Sequence, residues 1–137
     1  MTPISVMTTH ALVAIGYAIP LLFAPDDFLW LYGAQADPDA SHLARLFGAS
    51  LVAVSAITWL AREAPEGEAL DAICFGLAIG GGLATLVSLV HQLTAPTAGL
   101  LGWTTVLACG GLSAAHALLW LGRATRRAAA PTMSSAG

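Results

Sequence analysis

The stretch from Ala72 to Val90 is long, apolar and free of charged residues. Its length suits a crossing of the hydrocarbon core of a bilayer. The run Gly80-Gly81-Gly82 would weaken a helix in water by about 1 kcal/mol per glycine. In lipid the backbone has no other hydrogen-bond partner, so a helix is retained there. We therefore predict a membrane helix, around which the rest of the chain is arranged.

Composition places the whole chain in the membrane class. Hydrophobic residues make up 57% and charged residues 9% of it, and the mean hydropathy is +0.77, whereas about a quarter of the residues in soluble domains are charged. A length of 137 residues fits four spans with short connections. We predict an all-α fold, an integral membrane antiparallel four-helix bundle, as a single domain over residues 1–127, with a disordered tail over residues 128–137.

The four spans are predicted at about residues 4–24, 43–61, 69–93 and 100–121. Pro20 should kink the first span, and the aromatic segment 28–33 is expected to lie at the headgroup level because it is too short to cross. The pair Asp37-Pro38 is typical of a helix start. The tight connection over residues 65–68 predicts an antiparallel pairing of the second and third spans.

Small residues recur at every fourth position of the third span and form a ridge on one side of it, to which a neighbouring helix can come close. The ridge consists of Ala72, Gly76, Gly80, Ala84 and Ser88. The fourth span has a small-residue surface of its own, a candidate partner for the third, made of Gly110, Gly111, Ala114 and Ala115. Packing inside one bundle is favoured over dimerisation as the use of the ridge.

Arginine placement predicts the orientation. Arg62, Arg123, Arg126 and Arg127 fall on the side of the two termini, and Arg45 alone falls on the other side. Cytoplasmic loops carry the excess of basic residues, so both termini should be cytoplasmic. No nucleic-acid partner is predicted from so few basic residues. The first span is not expected to be a signal peptide, because no Lys or Arg precedes its apolar run.

Histidines are the candidates for chemistry, since the cores of the spans hold no Asp or Glu and proton-coupled antiport is thereby disfavoured. His10 and His116 are both predicted about 9 Å from the inner surface, and His42 and His91 near the outer one. Facing imidazoles are what a six-coordinate haem b requires. One hypothesis is therefore a haem b electron carrier that uses His10 with His116 and also His42 with His91.

Ordinary structural roles are favoured over haem ligation for these histidines. Each imidazole can be satisfied by a neighbouring side chain, a helix carbonyl or solvent. No catalytic residue and no metal site are predicted, because no helix carries a close His/carboxylate or His/Cys group. Cys74 and Cys109 are expected to be structural thiols.

Arg45 follows His42 by three residues on the same face of the second span. We interpret Arg45 as one half of an interfacial salt bridge that docks the aromatic segment onto this helix. Its candidate partners are Asp26, Asp27, Asp37 and Asp39. The functional alternative is that Arg45 and His42 hold an anionic headgroup or ligand at the outer surface.

Several short motifs follow one another along most of the chain: Pro25, then the Leu-Tyr-Gly segment 28–33, then Leu43–Leu51 with its Ala-Arg-Leu-x-Gly-Ala pattern, then Thr58–Arg62 and Gly102-Trp103. With them the chain resembles a family of small bacterial four-helix integral membrane proteins that carries no assigned activity. The resemblance implies a multi-pass fold in the bacterial inner membrane. It transfers no catalytic or binding residue.

Three functions remain open at this point. The leading one is a non-enzymatic accessory or scaffold protein that associates with itself or with a larger membrane complex through glycine-rich helix faces. The second is the haem b carrier. The third is an oligomeric channel or carrier for a small neutral solute or a lipid.

Overall fold

The computed structural model describes residues 2–95 and 99–129, and these residues form five helices. The helices are α1 (Pro3–Phe23), α2 (Pro25–Leu31), α3 (Pro38–Ala61), α4 (Glu68–Thr94) and α5 (Leu100–Ala129). All except α2 are long and apolar enough to cross a membrane. The predicted all-α membrane bundle of four long helices is confirmed.

Two of the long helices begin at a polar cap followed by proline. The Thr2 side chain accepts the backbone N–H of Ser5 at the start of α1. At the start of α3 the Asp37 carboxylate accepts the backbone N–H of Ala40 at 2.7 Å. Both side chains satisfy a backbone N–H group of the first turn that has no partner inside the helix. Proline fits the first helical position because it has no N–H group of its own that would need a partner. The helix start predicted at Asp37-Pro38 is confirmed.

The aromatic segment after α1 belongs to the short helix α2. Asp26 and Asp27 lie in its first turn, where negative charge is favourable to the helix dipole. Gly33 then adopts a positive φ of 78°, and its N–H donates to the carbonyl of Trp30 at 2.9 Å. A glycine takes this left-handed conformation without strain, so the chain reverses here into α3.

The long helices pack in the spatial order α3, α1, α5, α4. Extensive contacts join α1 to α3 and α4 to α5, and narrower contacts join α1 to α5. Ser55 of α3 donates to the carbonyl of Ala11 at 2.9 Å, and Ser113 of α5 donates to the carbonyl of Ala78 at 2.6 Å. The bundle therefore consists of two antiparallel helix pairs that meet along the α1–α5 seam.

Glycine allows the closest approach inside each pair. A Cβ atom on Gly48 would lie 3.0 Å from the Leu21 Cβ atom, and one on Gly81 would lie 3.1 Å from the Ser113 Cβ atom. Distances this short leave no room for a side chain, so glycine sets the spacing of α3 on α1 and of α4 on α5. The expected packing of the fourth span on the third is thus present.

The predicted pairing of the second and third spans is not found as an extended interface. Helices α3 and α4 follow one another through a short connection, but α3 packs along α1 and α4 packs along α5. The two come together at the end where they are connected, in an apolar cluster that contains Ala61 of α3 and Leu70 of α4. The glycines of α3 and α4 that contact α1 and α5 determine which helix each one packs on, and the short connection between α3 and α4 does not.

A buried apolar cluster lies at this same end of the bundle, and all four long helices contribute to it. Its buried members are Met7, Ala61, Leu70 and Cys74, with the partly buried Ile73, Leu77, Leu119 and Trp120 packed around them. Each of the four long helices also exposes large apolar side chains, among them Leu12, Leu60, Val87 and Leu107. An apolar exterior of this kind suits hydrocarbon as the surrounding solvent.

The C-terminal helix is longer than predicted. Helix α5 continues past residue 121 to Ala129 and so includes the first two residues of the predicted tail. Residues 130–137 of that tail lie outside the described residues.

Candidate functional site

A partly buried polar contact joins His10 of α1 to His116 of α5. The His10 Nδ1 and His116 Nε2 atoms lie 2.8 Å apart, and the ring centroids are 5.0 Å apart. His116 has no exposed surface, and its Nδ1 atom has no hydrogen-bond partner among the described residues. One ring must donate and the other accept, so the pair fixes complementary tautomers and links the two helix pairs inside the membrane.

This geometry does not suit a haem between the two rings. Metal–imidazole bonds are about 2 Å long, so nitrogens on opposite sides of an iron lie about 4 Å apart. The imidazoles of His10 and His116 are closer than that and bond to each other directly. The structure brings these two histidines to one level, as the predicted depths require, but as a hydrogen-bonded pair.

The other two candidate ligands are not brought together in this way. His42 on α3 and His91 on α4 are both exposed. Their helices are not in extended contact, and no hydrogen bond links the two side chains in the part of the chain that the structure describes. The paired outer level that the haem hypothesis requires is therefore not formed by His42 and His91.

The docking role that we assigned to Arg45 belongs to other residues. Arg45 is exposed, and no carboxylate of residues 2–95 or 99–129 lies within salt-bridge distance of it. Asp26 of α2 instead accepts a hydrogen bond from the Ser41 hydroxyl of α3, which lies about one helical turn before Arg45. A short neutral donor holds α2 on α3, because Ser41 is buried against it and the long Arg45 side chain points outward.

A charged cluster lies at the opposite end of the bundle from α2. Arg123 Nε of α5 donates to Asp71 Oδ1 at 2.5 Å, and Arg127 Nη2 donates to Asp71 Oδ2 at 2.5 Å. The side chains of Arg123 and Asp71 are only 4% and 11% exposed. The remaining Arg123 nitrogens, Nη1 and Nη2, are buried and have no hydrogen-bond partner within residues 2–95 and 99–129, and Nη1 lies 4.0 Å from Glu66 Oε1. The cluster clamps the start of α4 to the end of α5.

Asp71 is a buried acidic residue at the start of the predicted third span, outside the span cores that lack Asp and Glu. It lies in the first turn of α4. Its charge is tolerated there because two guanidinium groups compensate it. Because Arg123 and Arg127 both belong to α5, the Asp71 carboxylate links α4 to α5.

Aromatic and hydroxyl groups hold the α2 end of the seam. The Tyr17 hydroxyl lies 3.1 Å from Thr104 Oγ1, and the Tyr32 hydroxyl lies 2.7 Å from Thr105 Oγ1. Phe28 packs between the two tyrosine rings, with centroid distances of 6.0 Å and 5.2 Å. Burial raises the pKa of the Tyr32 phenol to about 12. These contacts dock both α1 and the chain after α2 onto α5.

The end of α4 is tied to the same region. The backbone N–H of Gly99 donates to the Tyr32 carbonyl at 3.1 Å, and the Gln92 amide donates to the Gly99 carbonyl at 2.7 Å. The start of α5 is thereby bonded both to α4 and to the residue that ends α2.

A groove runs along the α1–α5 seam between these polar ends, and we refer to it as the seam groove. One part has a volume of about 350 Å³ and is lined by Ser5, Thr9 and Val13 of α1 and by Ala108, Gly111 and Ala115 of α5, among others. A second part of about 250 Å³ shares Val13 and is lined further by Gly16, Tyr17, Phe28, Tyr32 and Leu101. The groove exists because α1 and α5 contact each other over only a narrow strip.

The predicted small-residue ridge of α4 lies largely away from the α4–α5 contact. A Cβ atom on Gly76 or Gly80 would meet no atom within 4 Å. Ala72 is likewise exposed, whereas Ala84 and Ser88 are partly buried. The neighbouring helix α5 is contacted instead by Gly81, one position along the chain. The preference for packing of this ridge inside one bundle is therefore not met at Gly76 and Gly80.

Sequence reasoning missed the partners that the structure gives to Asp71, Tyr17 and Tyr32. Asp71 and Arg123 are 52 positions apart, and only the register of α4 on α5 brings them together. One signal was available, since Arg123 and Arg127 are one turn apart and present two cations from one helix face. No comparable signal marks Thr104 and Thr105 as partners of the tyrosines.

No protein-family profile, curated protein or solved structure matches the chain. The fold alone defines the class of the protein. Its four long apolar helices make it a small multi-pass membrane protein, built from two antiparallel helix pairs that meet along a seam.

Proposed function

We propose that the protein is a non-enzymatic accessory or scaffold protein of the membrane that assembles with a second copy of itself through the outward face of α4. The observation that carries the proposal is the open space at Gly76 and Gly80, where an added Cβ atom would meet nothing within 4 Å. These two glycines are four positions apart, the spacing at which helices in lipid approach closely.

The position of α4 in the bundle supports this use. Helix α4 contains the most apolar 18-residue stretch of the four long helices, and only 6% of that stretch is buried. It lies at the edge of the spatial order and packs extensively on α5 alone. A second α4 related by two-fold symmetry would place Gly76 and Gly80 of one copy against the same glycines of the other.

The engagement of the polar groups also favours a structural role. His10 bonds to His116, and Asp71 bonds to Arg123 and Arg127. Each of these groups connects one helix to another.

The proposal includes a location in a bacterial inner membrane with both termini cytoplasmic, as expected for the resembled family. The start of α1, the connection after α3 and the end of α5 lie at one end of the bundle, since Met7, Ala61 and Leu70 share a cluster there and Arg123 pairs with Asp71. Four arginines lie at that end, and basic residues favour the cytoplasmic side.

The test is the substitution Gly80→Leu, alone and with Gly76→Leu. Because both positions are open within one chain, folding of the monomer should be unaffected. The oligomeric mass in mild detergent and energy transfer between labelled copies in liposomes should both show loss of the dimer. We expect at least a tenfold weaker association, since leucine prevents the close approach of the backbones.

Two control variants separate the interface from the fold. Gly122→Leu on α5 also adds a side chain in open space and should leave the dimer intact. Gly81→Leu should destabilise the monomer, because its Cβ atom would lie 3.1 Å from the Ser113 Cβ atom. A wild-type protein that is monomeric in liposomes, or a dimer that withstands Gly76→Leu/Gly80→Leu, would rule out the proposed interface.

A further inference from the structure

The seam groove has the position and shape of a site for a hydrocarbon chain. It runs along α1 from Ser5 to Tyr17, a distance of about 18 Å at about 1.5 Å per residue. One leaflet of the hydrocarbon core is about 15 Å deep. The groove therefore extends along the bilayer normal over roughly the depth that a single lipid chain occupies.

The walls of the groove are apolar and are shaped by glycine on both sides. Gly111 lines the larger part and Gly16 the smaller part, and a Cβ atom added to either would meet nothing within 4 Å. Between them lie Val13 of α1 and Ala108 of α5. The missing side chains create the width of the groove, and the space they leave is not filled by any other described residue.

The two ends of the groove differ in polarity. At one end lie the exposed hydroxyl groups of Ser5 and Thr9, and the Ser5 hydroxyl is 2.8 Å from Thr2 Oγ1. At the other end the rings of Tyr17, Phe28 and Tyr32 close the groove, and both tyrosine hydroxyls are engaged by threonines of α5. A molecule with a polar head and an apolar tail matches this arrangement, with the head at Ser5 and the tail against the aromatic rings.

We propose that the seam groove binds one acyl chain of a phospholipid from the leaflet in which α1 begins, with the glycerol region near Ser5 and Thr9. The chain fills the space between the two helix pairs and stabilises their relative position, because unfilled space in a packed interior forfeits dispersion contacts. This site is separate from the outward face of α4, and it goes beyond the proposed scaffold function.

The test measures lipid carried by the full chain. The protein is purified in mild detergent, supplied with phosphatidylglycerol or with phosphatidylcholine of the same chains, and analysed by native mass spectrometry. We expect the wild type to retain one lipid, with either headgroup. Gly16→Leu/Gly111→Leu should fill the groove and reduce the lipid-bound fraction at least tenfold, whereas Gly122→Leu, also in open space, should retain the lipid.

Helix content and thermal unfolding of each variant show whether it has folded, and folding is expected because the two groove positions are open. Wild-type protein that retains no lipid, or a folded Gly16→Leu/Gly111→Leu variant that retains as much as the wild type, would overturn the proposal. Retention that requires an anionic headgroup would also overturn it. So would a changed oligomeric mass in the groove variant with unchanged lipid, since a helix of a second copy would then be the occupant.

Discussion

Removing the Asp71 carboxylate tests how strongly the charged cluster holds α4 on α5. Asp71→Asn keeps the size of the side chain but removes the charge that compensates Arg123 and Arg127. Arg123 cannot turn to water, because its side chain is only 4% exposed. The substitution would therefore leave a guanidinium buried without its counter-charge.

The magnitude follows from the burial of the two partners. Breaking a buried ion pair by removing one partner costs about 3–5 kcal/mol. Glu66 lies 4.0 Å from Arg123 Nη1 and is 72% exposed, so it can turn toward the guanidinium and recover part of this cost. We therefore expect the lower end, about 3 kcal/mol, which is roughly a hundredfold change in the unfolding equilibrium at about 1.4 kcal/mol per tenfold.

The free energy of unfolding is measured at pH 7 by titration with a denaturing detergent in mixed micelles. Glu66→Gln is a control within the same cluster and should cost about 0–1 kcal/mol, because an exposed charge pair contributes little. In the double variant Asp71→Leu/Arg123→Met no buried charge remains unpaired, and its stability should return close to that of the wild type.

An Asp71→Asn variant that loses no more stability than Glu66→Gln would refute an uncompensated buried charge at Arg123. That result would mean that water reaches the cluster and that the pair contributes no more than an exposed one. A double variant less stable than Asp71→Asn would equally contradict the explanation from an uncompensated charge.

Two further predictions concern the seam. A double-mutant cycle with His10→Leu and His116→Leu should give a coupling energy of about 0.6–1.5 kcal/mol, the range for one hydrogen bond inside a membrane protein. Additive effects of the two substitutions on the free energy of unfolding would show that the 2.8 Å contact contributes nothing. The pKa of the Tyr32 phenol is raised from the ordinary value of 10.0 to about 12, so this phenol should ionise only at high pH. In a pH titration the tyrosinate absorbance should therefore include a component at high pH that Tyr32→Phe removes. Between pH 10 and about 12 the phenol loses its proton in the unfolded chain but keeps it in the folded protein, so the free energy of unfolding should fall as the pH rises. The same fall in Tyr32→Phe would show that Tyr32 is not its cause.

The four membrane helices could be predicted from local pattern. Uncharged apolar stretches of bilayer length define helices wherever the backbone has only itself to bond to. The cap at Asp37-Pro38 marks a helix start by the same local logic, and the structure places α3 there. The predicted fourth span ends at about residue 121, whereas α5 continues to Ala129 and includes Arg123 and Arg127.

The candidate site was predictable only in part. Depth along a helix follows from counting residues, so His10 and His116 were assigned to one level, and they lie in contact. Rotation about the helix axis does not follow from depth. The inward position of Gly81 and the outward position of Gly80 therefore came only from the packed structure, although the two residues are adjacent in the chain.

The sequence by itself determined that this chain crosses a membrane as four helices, because lipid forces every apolar segment to satisfy its own backbone. Tertiary structure alone decided the neighbours of each helix and the partners of its polar groups. The pairing of Asp71 with Arg123 and of Tyr32 with Thr105 depends on the register and rotation of whole helices. These are set by how small side chains from distant segments fit together, and no local pattern encodes that fit.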